Sequence, residues 1–218
     1  EAIPDITFDW VVESNFSDIP RWHPAVREVI PIAFREWRKR LFYRSTYTAW
    51  SSFRALLKTR TYDLILDAQG LVKSACLSLL TKGERVGLDF HSAREPLATF
   101  FYQRRITVNF YQQAVVRMRT LLSRALQYQL PPTKPNFNLH GMLTETPAHQ
   151  AGYIVFLHST TWRSKLWPES YWQTLLHCVA QAGYRVKIGG GNDEELARAK
   201  RIAGNSPQVD LLPKLSVT

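Results

Sequence analysis

A polar loop follows one of the most apolar segments of the sequence. The segment 153–158, YIVFLH, leads into Thr160, Thr161 and Lys165 before Pro168 marks the start of a helix. Loops between the carboxyl end of a parallel strand and a helix are where α/β proteins bind phosphorylated ligands. The hydroxyls and the ammonium group can therefore bind a diphosphate. The alternative is an ordinary loop with a hydroxyl cap and a solvated lysine, and the pattern alone favours neither.

A second loop of this kind contains three consecutive glycines. Residues 189–191 follow the strand-like segment 184–189 and precede the helical pattern 193–203. The spacing is not that of the G-x-G-x-x-G fingerprint, so the loop by itself is a weak signal. Glu195 lies in the first helical turn, and because its carboxylate repels phosphate, a sugar hydroxyl is the ligand that it suits. The alternative is a carboxylate that only stabilises the helix dipole.

Basic residues are concentrated in the first third of the chain. The sequence has 28 Lys and Arg against 18 Asp and Glu, and the segment 34–60 holds eight of the cations with one acid. Such a charge implies a polyanionic partner: nucleic acid, an anionic membrane or a phosphorylated substrate. Arg35, Arg38 and Lys39 lie within one helical turn, beside aromatic residues that include Trp37. Aromatic and basic side chains together are typical of a membrane surface.

A further candidate cation, Arg94, precedes a proline in the loop-like segment 89–96. Its guanidinium suits a carboxylate or a phosphate, although a local pair with Glu95 is equally consistent with the sequence. Asp67 ends an apolar strand-like segment and is followed by Gly70, a sequence typical of a tight strand-to-helix turn. Such a turn lies at the sheet edge where ligands bind, and we do not expect Asp67 to be a catalytic base.

These residues are placed by alternating strand-like and helical segments. Strand-like segments occur at 6–12, 27–32, 62–68, 85–89, 153–158, 184–189 and 208–213. Helical patterns occur at 47–60, 70–82, 110–128, 168–182 and 193–203. This alternation predicts an α/β protein with doubly wound parallel sheets.

The segment 129–151 is rich in Pro, Asn, Thr and His and has no hydrophobic periodicity. It predicts a linker between two α/β domains, 1–128 and 152–218. We expect the chain to be a segment of a longer protein, with both domains incomplete. Cys76 and Cys178 lie in apolar helical patterns that predict buried thiols, and the histidines lack the spacing of a metal site.

Five motifs carry a resemblance along essentially the whole chain: FDWVVE, DAQGLVKSA, AREPLA, VFLHSTT and LLPKLS, in this order. Together they resemble the lipopolysaccharide heptosyltransferase I family, GT-B glycosyltransferases of family 9 in Gram-negative bacteria. The resemblance implies a GT-B fold of two Rossmann-like domains. It also implies an inverting transfer of L-glycero-D-manno-heptose from ADP-heptose to the Kdo sugar of Kdo2-lipid A, with no metal or other cofactor.

The resemblance assigns roles to individual residues. It implies that the donor diphosphate is bound by Thr160, Thr161 and Lys165, with Lys165 stabilising the departing ADP, and that Glu195 holds the ribose hydroxyls. It implies an acceptor site formed by Arg35, Arg38, Lys39 and Arg94. The family's general base is an aspartate expected upstream of Glu1, and a second nucleotide loop is expected beyond Thr218. We therefore expect the chain by itself to be inactive.

Two loops of this chain depart from the family pattern. The tripeptide 162–164, Trp-Arg-Ser, replaces a more acidic one, and the sequence GGGND replaces a loop that contains tryptophan. The second departure leaves the adenine contacts unassigned.

The implied partners are ADP-heptose, Kdo2-lipid A and the anionic inner-membrane surface, and no nucleic acid is expected. The implied location is peripheral, on the cytoplasmic face of that membrane. Three alternatives are a sister heptosyltransferase that adds a later core heptose, a basic nucleic-acid-binding α/β module, and a non-catalytic remnant.

Overall fold

The computed structural model describes residues 3–40, 42–135, 152–160 and 162–214. The chain divides into two compact units, Glu1–Asn138 and Leu139–Thr218. Most of the segment predicted as a linker, residues 136–151, lies outside the described residues. The exact domain boundaries therefore stay a prediction.

The first unit alternates strands and helices. Its strands are β1 (Phe8–Glu13), β2 (Val26–Ile32), β3 (Thr61–Asp67), β4 (Lys82–Leu88) and β5 (Arg104–Ile106). Its α-helices are α1 (Asp18–Arg21), α2 (Phe34–Lys39), α3 (Arg44–Lys58), α4 (Val72–Ser78) and α5 (Ala114–Ala125). Short 3-10 helices span Ser14–Phe16 and Pro96–Phe101.

All strand pairs of the first unit are parallel. β1 pairs with β2, and β3, β4 and β5 form a second sheet in that order. Helices cover these strands with apolar stripes. On α3, Phe53 and Leu57 are buried four residues apart against Ile30 and Ile32 of β2. Since parallel strands leave their carboxyl ends at one edge, the loops after β3 and β4 lie side by side.

The second unit repeats this arrangement on a smaller scale. It contains β6 (Tyr153–Phe156), α6 (Glu169–Gln181), β7 (Arg185–Ile188), α7 (Asp193–Ala203) and β8 (Val209–Leu211). A 3-10 helix, Arg163–Lys165, precedes α6. The strands are parallel in the order β6-β7-β8. A core of Phe156, Leu176, Val186, Ile188, Ala199 and Ile202 joins the sheet to both helices.

The α/β prediction is confirmed, and each of the seven predicted strands and five predicted helices is present within a few residues. Two elements near the candidate sites were missed, α2 and β5. The prediction of buried thiols is wrong: Cys76 and Cys178 are exposed. Their helices turn Ala75 and Leu176 inward instead. Within the described ranges, no helix has the length and apolarity needed to cross a bilayer.

Candidate functional site

The loop after β6 presents Lys165 at the sheet edge. The loop turns through the 3-10 helix, in which the Lys165 N–H donates to Trp162 O at 2.9 Å and the Leu166 N–H donates to Arg163 O at 3.1 Å. Thr160 and Lys165 are exposed, and Lys165 forms no ion pair with any carboxylate that the structure describes. Thr161, the other predicted diphosphate ligand, lies outside the described residues. The loop thus offers a cation at a strand end.

A buried histidine joins this loop to the glycine loop. His158 is 3% exposed, and its Nε2 lies 2.8 Å from Gly189 O at the end of β7. Since a carbonyl only accepts, Nε2 carries the proton, and Nδ1 can accept from the Ser159 hydroxyl at 3.2 Å. The two strand-end loops are therefore tied together directly.

The glycine loop approaches the first turn of α7 too closely for a side chain at its centre. A Cβ on Gly190 would lie 2.6 Å from Glu195 Cβ and 2.7 Å from Leu196 N. The Gly191 N–H donates to Glu195 Oε2 at 2.7 Å, and the Glu195 N–H donates to the N-cap side chain of Asn192 at 2.9 Å. One carboxylate oxygen of Glu195 thus stabilises the helix start. Oε1 has no hydrogen-bond partner among the described residues and is available to a ligand.

In the first unit, Asp67 organises the loop after β3. Its carboxylate is buried and accepts from Gln69 N, Gly70 N, the Ser74 hydroxyl and the Tyr102 hydroxyl. Burial, followed by the hydrogen bond to this carboxylate, raises the pKa of Tyr102. A carboxylate already accepting from four donors is poorly suited to take a proton from a substrate. The geometry supports a structural role for Asp67.

The loop after β4 packs directly on that turn and carries Arg94. A Cβ on Gly70, whose φ is +63°, would lie 3.2 Å from Ala93 Cα and 3.3 Å from Arg94 N. The Glu95 N–H donates to Gly70 O at 2.9 Å, and Glu95 Oε2 accepts from Val72 N at 2.7 Å, at the start of α4. The local Arg94–Glu95 pair is therefore not formed, because Glu95 faces the helix start. Arg94 is exposed on a backbone fixed from both sides.

Asp89 fixes the other end of the Arg94 loop. Burial alone would raise the pKa of Asp89, but hydrogen bonds from Ser92 and Thr107 hold it below its ordinary value. Their hydroxyls lie 2.6 Å from the carboxylate oxygens.

Helix α2 presents the other predicted acceptor ligands. Arg35, Arg38 and Lys39 are exposed at i, i+3 and i+4, and none forms an ion pair with a carboxylate in the described part of the chain. The interpretation of Trp37 as a membrane-facing residue is wrong. Its ring packs against Trp50 at 5.8 Å and Phe53 at 5.9 Å.

Lys73 is a cation that the sequence analysis missed. Its Nζ lies 5.8 Å from the centre of the Phe34 ring, at the start of α2. Lys73 follows Val72, whose N–H bonds Glu95, so α4 connects the cations of α2 with the Arg94 loop. Its position as the second residue of the helix that follows a strand-end loop was the available signal.

The structure thus groups the predicted residues within each unit. Thr160, Lys165 and Glu195 lie at the carboxyl ends of adjacent strands of the second unit. Arg35, Arg38, Lys39 and Arg94 lie on elements that follow strands of the first unit. In the part of the chain that is described, no group of three or more His, Cys, Asp or Glu side chains is arranged to hold a metal ion.

Two α/β units with parallel sheets, one carrying a cation and a carboxylate on neighbouring strand-end loops, define an α/β protein of the nucleotide-binding type. The family model of "Glycosyltransferase family 9 (heptosyltransferase)" matches residues 50–218. The chain is 44% identical to lipopolysaccharide heptosyltransferase 1 of Escherichia coli K12, across 100% of its own length and 69% of that protein. The chain belongs to glycosyltransferase family 9.

Solved structures agree with this assignment. E. coli heptosyltransferase WaaC with ADP matches with a TM-score of 0.89 at 44% identity, over 99% of this chain and 68% of that one. The same protein with ADP-2-deoxy-2-fluoro heptose gives 0.88 at 44% identity, over 99% and 69% of the two chains. E. coli ADP-heptose lps heptosyltransferase II, at 17% identity and a TM-score of 0.58 over 97% and 65%, shows the fold alone.

These matches confirm the GT-B fold and the glycosyltransferase class. They favour the heptosyltransferase hypothesis over the nucleic-acid-binding alternative, and heptosyltransferase 1 over its sister enzyme. The chain spans about two thirds of the length of these relatives.

Proposed function

We propose that the protein to which this chain belongs transfers heptose from ADP-heptose to the Kdo sugar of Kdo2-lipid A, in the synthesis of the lipopolysaccharide core. The observation that carries the proposal is the pair of strand-end loops of the second unit. One offers a lysine that has no ion-pair partner among the described residues, and the other offers a carboxylate oxygen. They occur in a chain of which 99% aligns with an enzyme solved with ADP.

We assign the donor site to the second unit. The ammonium of Lys165 and the hydroxyl of Thr160 bind the diphosphate, and Thr161 is assigned with them from the sequence alone. As the bond to heptose breaks, negative charge builds on the departing ADP, and a fixed cation stabilises that charge more than the ground state. Glu195 Oε1 accepts from a ribose hydroxyl while Oε2 keeps its bond to Gly191.

We assign the acceptor site to the first unit. Arg35, Arg38 and Lys39 form an exposed row on one face of α2, and Arg94 is exposed on the loop after β4. Guanidinium groups bind carboxylates and phosphates in bidentate fashion, which suits the Kdo carboxylate and the phosphates of lipid A. Lys73 joins this site through its position between α2 and the Arg94 loop.

The surface around α2 and the start of α3 also suits an anionic bilayer. Beside the three cations, Phe42, Tyr43 and Tyr47 are exposed, Phe42 fully and the two tyrosines by 63% and 72%. Each basic residue near an anionic membrane contributes about 1 kcal/mol, and aromatic rings lie favourably at the headgroup level. We therefore place the enzyme peripherally on the cytoplasmic face of the inner membrane, where its acceptor lies.

The test of the donor assignment is Lys165→Ala in the full-length protein, with Lys200→Ala as the matched control. Both lysines are exposed, so neither change should alter folding. Loss of one charge-assisted contact costs about 1.5–3 kcal/mol, which lowers turnover at least about tenfold for Lys165→Ala. The control should keep the parent rate. A parent rate for Lys165→Ala at saturating ADP-heptose would show that Lys165 is a solvated surface residue.

A further inference from the structure

We propose that Arg198 is a positioning residue that holds the Lys165 loop in register with Glu195. The inference rests on the proposed function of these loops as the donor site. Arg198 lies on α7 three residues after Glu195, so the two side chains leave the helix from the same face, one turn apart. Helix α7 therefore carries Glu195, which is one of the donor contacts. It also carries Arg198, whose side chain reaches the loop of Lys165, the other donor contact.

Arg198 contacts the end of that loop and the first residue of α6. Its Nη2 donates to Trp167 O at 2.5 Å, and its Nη1 lies 3.4 Å from Glu169 Oε1. Trp167 is two residues beyond Lys165, which is the last residue of the 3-10 helix. The Arg198 side chain is only 14% exposed, so its guanidinium is largely withdrawn from solvent to make these contacts.

Glu169 is the counter-charge that makes this withdrawal possible. It is the first residue of α6, and its carboxylate also accepts from Arg201 Nε at 3.0 Å and Arg201 Nη2 at 2.9 Å. The hydrogen bond from Arg201 holds the pKa of Glu169 below its ordinary value, so the carboxylate stays ionised at neutral pH. Two arginines of α7 thus attach the start of α6 to α7.

Aromatic contacts with α6 also hold the loop in place. The Trp167 ring packs on Trp172 at 5.2 Å and on Tyr171 at 5.5 Å, both on α6. These contacts fix the ring, whereas Arg198 fixes the Trp167 carbonyl and hence the backbone that leads to Lys165. A cation displaced by an ångström from the diphosphate loses much of its effect, so this backbone contact sets the strength of the Lys165 contact.

The experiment uses the full-length protein and measures the dissociation constants of ADP and adenosine by calorimetry. Arg198→Gln should raise the ADP constant about tenfold and leave the adenosine constant unchanged, because only ADP engages Lys165. Glu169→Gln, which weakens the same contact from the other side, should give the same selective loss. Arg198→Lys should restore part of the ADP affinity. The matched control is Arg185→Gln, an arginine of the same unit that pairs with Asp210 on β8.

A double mutant separates positioning from a general structural role. If Arg198 acts through Lys165, adding Arg198→Gln to Lys165→Ala should weaken ADP binding no further than Lys165→Ala alone. An additive further loss, or an equal loss for ADP and adenosine, overturns the inference while leaving the donor assignment of Lys165 intact. Parent-like ADP affinity of Lys165→Ala overturns both. If Arg198→Gln does not fold, the Glu169→Gln series in the Lys165→Ala background decides the question by the same criterion.

Discussion

Glu195 lends itself to a sharp test because its two carboxylate oxygens have different tasks. Oε2 accepts from the Gly191 N–H at the start of α7, and Oε1 has no partner among the described residues. Glu195→Gln retains an amide oxygen that can accept from Gly191, so the glycine loop and the helix start should persist. What is lost is the negative charge toward the ribose.

The expected size of this loss follows from the two kinds of hydrogen bond. A hydrogen bond to a charged group contributes about 1.5–3 kcal/mol and a neutral one about 0.5–1.5 kcal/mol. The difference of about 1–1.5 kcal/mol corresponds to a rise of about five- to tenfold in the ADP dissociation constant. The loss should be smaller for 2′-deoxy-ADP if the 2′-hydroxyl is the group that Glu195 holds, and for 3′-deoxy-ADP if it is the 3′-hydroxyl.

Glu194→Gln is the matched control. Glu194 precedes Glu195 in the same first turn of α7 and is exposed, so its replacement removes the same charge from the same helix end. That charge contributes about 0.3–1 kcal/mol through the helix dipole in either variant. Calorimetry gives the ADP dissociation constant of both variants, and the difference between the two constants isolates the contact of Glu195 with the ribose. Equal affinities for the two variants would show that Glu195 only stabilises the helix, and the ribose assignment would be abandoned.

Three further predictions concern the first unit of the full-length protein. Asp67→Asn replaces a buried carboxylate that accepts four hydrogen bonds with a carboxamide, in which one of the two oxygens has become an NH2 donor. Urea denaturation should therefore show a loss of about 1–3 kcal/mol in unfolding free energy. An unchanged midpoint would contradict this prediction. The hydrogen bond from Arg27 holds the pKa of Asp9 below its ordinary value of 3.8. The stability that the ionised carboxylate contributes is therefore complete at neutral pH and is lost as the pH falls through the folded-state pKa. The difference in unfolding free energy between the parent and Asp9→Asn should close below about pH 4, and a difference that is constant with pH would refute this prediction. Charge reversal of Arg35 and Arg38 should raise the acceptor KM and weaken binding to anionic vesicles while leaving ADP affinity unchanged; an equal loss for donor and acceptor would assign these arginines to the fold.

The sequence predicted those elements whose apolar residues follow a clear period. The strand-like segment 153–158 begins with five successive apolar residues. The helix 193–203 has an N-cap asparagine, three acids in its first turn and a glycine after its end, so its bounds were obtained to the residue. Helix α2 was missed because it is six residues long and mostly charged. Strand β5 was missed because three residues, two of them arginines, carry no usable period.

The contacts that build the site were less accessible to sequence reasoning. His158 was visible as the last residue of a strand, but its partner is a backbone carbonyl 31 residues away. Arg198 and Glu169 are 29 residues apart, and each in isolation resembles an ordinary charged residue of an amphipathic helix. A contact between side chains of two different helices depends on the order of the strands in the sheet, because that order sets which helices are neighbours. A single sequence does not specify this order. The resemblance to a family supplied the roles of Lys165 and Glu195 without supplying their supports.

The close placement of Glu195 and Arg198 on one helix restricts how this part of the chain can change in length during evolution. One residue inserted between them would rotate Arg198 by about 100° around the axis of α7 and move it about 1.5 Å along that axis. The guanidinium would then leave the Trp167 carbonyl while Glu195 kept its bond to Gly191. Insertions and deletions among relatives should therefore be absent between positions 190 and 201. They should accumulate instead in the turn 204–208, where an added Cβ on Gly204 meets no atom within 4 Å.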